Sequence, residues 1–420
     1  MRPLLLKNAY FIDSSTFEIK KTNIVVHRGK NQNIDFITDY KSGEYEVVDL
    51  QGKIVSEAFV VGHHHIYSAL AVGMPPLSHT PHNFYEILKY LWWNLDKKLD
   101  EDMIRASAYA VAISAIRKGN AYIIDHHSSP FAIKNSLNII AEVLDEMGLN
   151  YLLAYEISDR DGENIKEKAL EETERFLADN QGLIGLHASF TLEDETLKAV
   201  ADMMEKFNTG IHIHIAEDRF DQDLTLMYFG KTVLERLNYY GLLNTSKSIL
   251  AHGIHLFEND KKIFMNSPAF LVQNPESNQN NNVGFLDASG LGENIMLGTD
   301  GMHSDMIRSA HVAYFAGKKY GNPSMSEVYK RLTNNWRYLR SNSFDGIGKN
   351  NLVIFDYQPT TPITSENFLS HFFFGMDSSM IWGLIVNGEI LMQDRRLKNI
   401  DIEEITKFTQ QQAIRLWNML

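Results

Sequence analysis

The stretch that decides the fold is VVGHHHIY, residues 60–67, in which an apolar run ends in three consecutive histidines. Alternate side chains of a β-strand share a face, so His63 and His65 are predicted to point one way and His64 the other. Two imidazoles on one face at a strand end make half of a metal site. His64 is predicted to face outward, with an indirect role as the alternative. The other ligands must then come from later in the chain.

Apolar, strand-like runs alternate with longer amphipathic segments from about residue 55 onward. Such alternation is typical of parallel strands covered by helices on both sides. Eight runs predict a (β/α)₈ TIM barrel, whose active site lies at the carboxyl ends of its strands. A doubly wound sheet is the alternative, although no GxGxxG turn supports it. The runs are 59–65, 121–127, 151–158, 183–189, 210–217, 248–254, 269–275 and 295–300.

Strand patterns without intervening helices occur at both ends of the chain. Residues 23–27 and 45–50 near the start, and 351–357 and 382–391 near the end, read as strands separated by polar turns. We expect both ends to join in one small β-sandwich domain beside the barrel. The predicted domains are 1–54 and 346–420 for this β-domain with a terminal helix, and 55–345 for the barrel.

Composition excludes several classes of function. The chain has 420 residues, a formal net charge of −13 and no cysteine. The negative charge argues against a nucleic-acid partner, and no apolar run reaches the roughly 18 residues that would cross a membrane. The missing cysteines exclude disulfides, thiolate catalysis and cysteine-ligated zinc. No signal-peptide pattern begins the chain, so a cytoplasmic location is expected.

A second pair of histidines lies in HIHIAE, residues 212–217. Strand alternation directs His212 and His214 inward. His212 is expected to be a buried core residue, whereas His214, nearer the strand end, is predicted to bind a metal. Glu217 follows just past the strand, where a carboxylate can act as a general acid and base without ligating the metal.

Two further motifs end later strands, namely AHG at 251–253 and GTDG at 298–301. His252 is predicted to orient the reacting water or stabilise oxyanion charge, with a hydrogen-bonded core histidine as the alternative. Asp300 is predicted to reach the metal, with helix capping as the alternative. Three histidines, an aspartate and an open position are typical of a catalytic metal site. A metal lowers the pKa of its bound water to about 7.

The order of these motifs resembles the amidohydrolase superfamily, in particular its aminohydrolase and chlorohydrolase branch. IYSAL at 66–70 and NPESN at 274–278 are similar to segments of that branch. LWWNLD at 91–96, DHHSSP at 125–130 and FGM at 374–376 resemble the SsnA group of aminohydrolases. The resemblance covers nearly the whole chain.

The resemblance implies residue roles. Glu217 matches the proton shuttle, His252 the histidine beside the reacting water, and His187 a substrate contact after the fourth barrel strand. Binuclear members carry a carboxylated lysine where this chain has His187, so one divalent metal ion is implied, zinc in the first place and iron as the alternative. The implied metal ligands are His63, His65, His214 and Asp300.

Substrate contacts are less defined by the sequence. The long segment 73–95 could form a lid with aromatic walls over a flat heterocycle, or a helix that merely packs on the barrel. The hydroxyl of Ser304 is expected to contact substrate or to lie where the next helix is capped. The predicted contacts are His187, His127, Trp92 and Ser304.

The predicted function is that of a metal-dependent hydrolase that deaminates a nitrogen heterocycle. Activated water attacks an sp² carbon, Asp300 takes its proton, Glu217 protonates the ring nitrogen and His252 holds the oxygen. The alternatives are a cyclic-amide hydrolase or dechlorinase of the same superfamily, and a non-catalytic metal-binding scaffold. A small-molecule partner and a homodimer are expected.

Overall fold

The computed structural model describes residues 2–41, 43–77 and 79–420. Strands from the two ends of the chain flank a central series of eight. The first five strands are β1 (Leu4–Ile12), β2 (Ile19–Val26), β3 (Ile34–Ile37), β4 (Glu46–Asp49) and β5 (Ile54–Glu57). The central strands are β6 (Phe59–His64), β7 (Asn120–His127), β8 (Asn150–Ile157), β9 (Gly182–Ala188), β10 (Ile211–Ile215), β11 (Ile249–His252), β12 (Phe270–Gln273) and β13 (Ile295–Leu297). The last four are β14 (Leu352–Phe355), β15 (Ile381–Val386), β16 (Glu389–Gln393) and β17 (Arg396–Leu397).

Helices alternate with the central strands. In the described parts of the chain, none of them is long and apolar enough to cross a membrane. The helices are α1 (Phe84–Ile87), α2 (Trp93–Leu95), α3 (Glu101–Arg117), α4 (Ser136–Glu146), α5 (Glu163–Asp179), α6 (Asp194–Phe207), α7 (Arg219–Phe229), α8 (Val233–Tyr239), α9 (Glu258–Met265), α10 (Pro275–Asn280), α11 (Met306–Gly317), α12 (Met325–Ser341), α13 (Phe368–Phe374) and α14 (Ile402–Trp417).

The central strands β6 to β13 form one parallel sheet in chain order. Its two edge strands meet, since the backbone N–H groups of Thr299 and Asp300 both donate to the carbonyl of His63, each at 3.1 Å. The strand residues are almost all buried because helices cover the outer face and side chains fill the interior. The predicted α/β barrel is therefore confirmed, and the carboxyl ends of all eight strands open on one face.

The terminal strands form a separate nine-stranded sheet with its own apolar core. Strand β1 pairs with β2 on one side and with both β4 and β5 on the other. Strand β14 joins the far end of the chain to β5 in antiparallel register. The predicted β-domain built from both termini is thus confirmed, with all nine strands hydrogen bonded into one continuous sheet. The exact domain boundaries stay a prediction, and β5 spans the one placed at residue 54.

One buried side chain from α12 also bridges the two strands at which the barrel closes. The Asn335 side-chain amide donates to the carbonyls of Val60 (2.6 Å) and Leu297 (2.9 Å), and its oxygen accepts from the Leu297 N–H (3.2 Å). These bonds satisfy backbone groups of β6 and β13, where the ladder between the strands is incomplete.

Replacing Asn335 with alanine leaves three buried backbone groups without partners. We expect Asn335→Ala to lower the free energy of unfolding by about 2–3 kcal/mol, since each unsatisfied buried group is costly. Urea unfolding followed by circular dichroism measures this loss. The control Asn259→Ala removes an exposed bond to Glu235 and should change stability by less than about 0.5 kcal/mol. Equal stability of the two variants would contradict the closure role.

Candidate metal centre and catalytic cavity

Four predicted ligands converge at the carboxyl end of the barrel. His63 lies in β6 with His65 just after it, His214 lies in β10, and Asp300 follows β13. His65 Nε2 is 3.0 Å from His214 Nε2 and 3.1 Å from Asp300 Oδ1. His63 Nε2 is 3.5 Å from the same carboxylate oxygen. Ligand atoms of three imidazoles and a carboxylate therefore surround one point.

Hydrogen bonds on the far side of two rings show that this point suits a cation. His65 Nδ1 donates to the carbonyl of His126 (2.7 Å) and His214 Nδ1 donates to the carbonyl of His187 (2.8 Å). In a neutral ring this leaves Nε2 as a lone pair. Two lone pairs 3.0 Å apart, beside a carboxylate oxygen, repel one another unless a cation lies between them. The donor set and its ring-orienting carbonyls fit a divalent metal.

His212 orients the ring of His63 from below. The two rings share a hydrogen bond of 2.8 Å between His63 Nδ1 and His212 Nε2, which leaves the buried His63 Nε2 without a partner among the described residues. That unpartnered nitrogen faces Asp300. The structure thus places His212 in the barrel interior, supporting the ligand cluster.

The acid and base candidates lie beside the ligand cluster. His252 Nε2 is 3.5 Å from Glu217 Oε2, and Asn278 Nδ2 donates to His252 Nδ1 at 2.7 Å. A neutral His252 ring therefore carries its proton on Nε2, towards Glu217. Burial, and then the charge of Asp300, raise the pKa of Glu217 well above its usual value. Glu217 is consequently a proton donor at neutral pH.

Asp300 has the opposite ionisation. Burial raises its pKa, but the neighbouring imidazoles of His63 and His65 outweigh this and hold the pKa well below its usual value. Ser277 also donates to Asp300 Oδ2. The backbone of Asp300 (φ 53°) and that of His252 (φ 75°) lie in the left-handed region, a strained state typical of functional sites. An ionised Asp300 beside a protonated Glu217 separates a base from an acid.

His64 is not the outward bystander that strand alternation suggested. It is 1% exposed, and its Nδ1 donates to the backbone carbonyl of Asp300. Its Nε2 lies 3.3 Å from the hydroxyl of Ser304. The turn after β13 folds over the outer side of β6, so an outward-facing side chain is covered and positions a metal-ligand candidate.

Two of the four predicted substrate contacts lie outside the cavity wall. Among the described residues, neither His127 nor Ser304 lines the cavity. His127 bonds to Ser129 (2.9 Å) and packs between Tyr67 and Tyr155. Ser304 faces His64. Strand alternation explains His127, because its neighbour His126 takes the inward position of β7.

The catalytic cavity has a volume of about 360 Å³ and opens above the ligand cluster. Trp92 and His187 line it, and their contact with a substrate stays a prediction. The wall carrying Trp92 is a short π-helical turn, Leu88–Trp92, between α1 and α2. Such turns are frequent at functional sites. The segment 73–95 therefore contributes a wall of the cavity.

Several lining residues had no signal in the sequence. Trp93 donates its indole N–H to His187 Nε2 (3.3 Å). Asp96, Glu156 and Arg160 form an ion-pair cluster beside it. Asp96 ends the LWWNLD segment, whose resemblance to a known group did not indicate this contact, and Arg160 lies in the charged segment after β8. Glu156, in an otherwise apolar strand, could have been noticed.

Comparison with known proteins identifies the class to which this barrel and its site belong. Residues 54–391 match the sequence model described as the Amidohydrolase family. The chain therefore belongs to the amidohydrolase family, as the four motifs predicted. The resemblance to the SsnA group is finer than this match and stays a prediction.

Curated relatives of the chain are deaminases, hydrolases of C–N bonds other than peptide bonds. The 5-methylthioadenosine/S-adenosylhomocysteine deaminase of Thermococcus sibiricus is 26% identical over 415 residues, which cover 93% of this chain and 94% of the relative. The 5'-deoxyadenosine deaminase of Methanocaldococcus jannaschii is 24% identical over 427 residues, covering 96% and 97%.

Solved structures share the fold over nearly the full chain. An adenosine deaminase from Xanthomonas campestris with bound zinc superposes with a TM-score of 0.83 at 18% identity, covering 99% of both chains. Atrazine chlorohydrolase from Arthrobacter aurescens, complexed with zinc, gives 0.80 at 15% identity, covering 98% of this chain and 100% of the other. The common fold thus supports different leaving groups.

Removal of a ligand should release the metal. We expect His214→Ala to weaken metal binding by more than about tenfold, since an outright ligand is lost. Elemental analysis of protein equilibrated with zinc measures this change. His27→Ala, at an exposed histidine of the terminal sheet, is the control and should retain the metal. Full metal content in His214→Ala would overturn the ligand assignment.

His64 contacts the backbone of Asp300, so its loss should weaken metal binding indirectly. We expect His64→Ala to weaken zinc binding by about 10–100-fold, because the turn that presents Asp300 loses its support. Zinc titration against a competing chelator measures the affinity. A zinc affinity equal to that of the wild type would show that His64 does not support the metal site.

Proposed function

We propose that this protein is a metal-dependent deaminase that hydrolyses the C–N bond of an amino group on a nitrogen heterocycle. The single observation that carries the proposal is the convergence of three imidazoles with the carboxylate of Asp300, with the carboxyl group of Glu217 beside His252 next to them. Hydrolytic deamination needs both a base for the water and an acid for the ring nitrogen. The deaminase relatives agree with this chemistry.

We propose zinc as the metal, held by His63, His65, His214 and Asp300. Three imidazoles and one carboxylate form a ligand set that zinc prefers, with iron as the alternative. When bound, the metal would lower the pKa of a water molecule and so supply the nucleophile at neutral pH. The zinc-containing structural neighbours agree with this choice.

The chain's own groups supply the proton transfers. Asp300 accepts the proton of the attacking water, and His252 Nε2–H donates a hydrogen bond to its oxygen. Glu217 gives its proton to the ring nitrogen next to the reacting carbon. Ionised Glu217 then takes the remaining proton of the attacking oxygen and passes it to the amino group, which leaves as ammonia. Return of the proton from Asp300 to Glu217 restores both groups. His187 and the indoles of Trp92 and Trp93 form walls suited to a flat ring.

Loss of the Glu217 proton donor should abolish turnover without loss of metal. A panel of purine nucleosides, free purines, pterins, pyrimidines and aminotriazines is assayed for ammonia release by the zinc-loaded protein. For any substrate found, we expect Glu217→Gln to lower kcat by about 10²–10⁴-fold. Glu258→Gln, at an exposed glutamate paired with Lys261, is the control for an ordinary surface change.

Two results would contradict this proposal. Ammonia release by Glu217→Gln at the wild-type rate would remove the acid role. Chloride release from chlorotriazines, or ring opening of cyclic amides, without ammonia from any amino heterocycle, would replace deamination by the alternative reactions. The homodimer expected from the resemblance stays a prediction, which light scattering would test.

A further inference from the structure

Arg160 stands in the wall of the cavity, and each of its three guanidinium nitrogens donates to a carboxylate. Its Nη1 donates to Glu156 Oε1 (2.7 Å), its Nη2 to Asp96 Oδ2 (2.6 Å) and its Nε to Asp161 Oδ2 (3.1 Å). The side chain is 9% exposed, and the guanidinium carbon lies 5.3 Å from the ring centroid of Trp93. Carboxylates from a barrel strand and from the cavity wall therefore hold this cation in place.

Among the described residues that line the cavity, no lysine or arginine is free of carboxylate partners. Arg160 is the only arginine or lysine among the described residues that line the cavity. The imidazole of His187 is engaged by Trp93 and Thr191, and that of His303 by Glu276 and the Asp305 N–H. Six acidic side chains line the same cavity, namely Asp96, Glu156, Glu217, Asp218, Asp221 and Asp300.

The two carboxylates that hold Arg160 differ in their surroundings. Burial raises the pKa of Glu156, but Arg160 outweighs this and holds the pKa below its usual value, so Glu156 is ionised. Burial raises the pKa of Asp96 to about 7, against the lowering effect of Arg160. Asp96 Oδ1 is buried and has no hydrogen-bond partner among the described residues. Among the described lining residues, the positive charge of the one guanidinium is thus balanced by carboxylates in contact with it.

We propose that Glu156 and Asp96, by occupying Arg160, make this cavity select neutral or cationic heterocycles and reject anionic ones. The inference rests on the proposed deaminase function and names its substrate class by charge. A phosphate or carboxylate substituent would lose its water in the cavity without gaining a free cationic partner from the wall, and would face the acidic side chains instead. Glu156 and Asp96 are specificity residues that act through Arg160.

The test compares two purine nucleosides that differ in charge and need no turnover. Binding of inosine and inosine 5'-monophosphate to the zinc-loaded protein is measured by calorimetry. We expect the wild type to bind inosine more tightly by at least about tenfold, because like charges in the cavity disfavour the phosphate. In Glu156→Gln, where Arg160 loses a partner, the ratio should fall by about tenfold.

Asp96→Asn also removes a partner of Arg160 and should lower the same ratio of inosine to inosine 5'-monophosphate binding. Circular dichroism checks that the variants are folded. Glu142→Gln removes an exposed carboxylate that pairs with Arg105 on the surface, and its ratio should equal that of the wild type. Equal binding of both ligands by the wild type, or an unchanged ratio in both cavity variants, would overturn the inference. Failure of both ligands to bind would overturn it as well.

Failure of the inference is distinguishable from failure of the proposed function. Ammonia release from adenosine and from adenosine 5'-monophosphate is measured in parallel. Deamination of both at equal rates would leave the deaminase function intact and overturn the charge selection. Charge-selective binding with no ammonia from the whole panel would overturn the function alone.

Discussion

The arrangement of the site depends on bringing together ligand atoms that repel one another when no cation lies between them. His65 Nε2 lies 3.0 Å from His214 Nε2 and 3.1 Å from Asp300 Oδ1. The Nε2 atoms of His65 and His214 each carry a lone pair, because the ring proton is on Nδ1, which donates to a backbone carbonyl. A cation relieves this repulsion, so metal binding stabilises the native state of the barrel.

Closure of the barrel makes that convergence possible. The strands β6 and β13 are far apart in sequence but adjacent in space, and the turn after β13 hydrogen bonds to His63. Asn335 satisfies the backbone groups that this junction leaves open, and His64 supports the Asp300 carbonyl. Because the metal ligands come from several strands, their positions depend on how the first barrel strand is hydrogen bonded to the last.

The same burial that assembles the site divides its carboxylates into an acid and a base. Glu217 lies near His252, and no lysine or arginine among the described residues pairs with it, so its pKa stays high and it holds its proton. Asp300 lies against the imidazoles of His63 and His65, which keep its pKa low, so it remains ionised. At the wall, Arg160 keeps Glu156 ionised in the same way. Three carboxylates in one cavity thus have three roles, each set by its nearest partner.

Much of this protein could be predicted from the sequence. The alternation of apolar runs and amphipathic segments determined the barrel, because parallel strands buried on both faces require that pattern. Histidines and an aspartate at the ends of those runs indicated the ligand set, since strand ends share one face of a barrel. The period of two placed His63 and His214 inward. His127 was the predicted substrate contact, whereas the structure makes His126 the interior residue of β7.

Tertiary structure alone decided which side chains contact these groups from other elements. His64 supports Asp300 because the turn after β13 covers it, and the period of two says only that it points away from the barrel axis. Asp96 and Glu156 meet Arg160 across 64 and 4 positions of the chain. Such contacts are set by the packing of loops on strand ends, and no local pattern encodes them. The three histidines at 63–65 illustrate both cases. The inward direction of His63 and His65 follows from the strand period, whereas the contact of His64 with Asp300 depends on the tertiary fold.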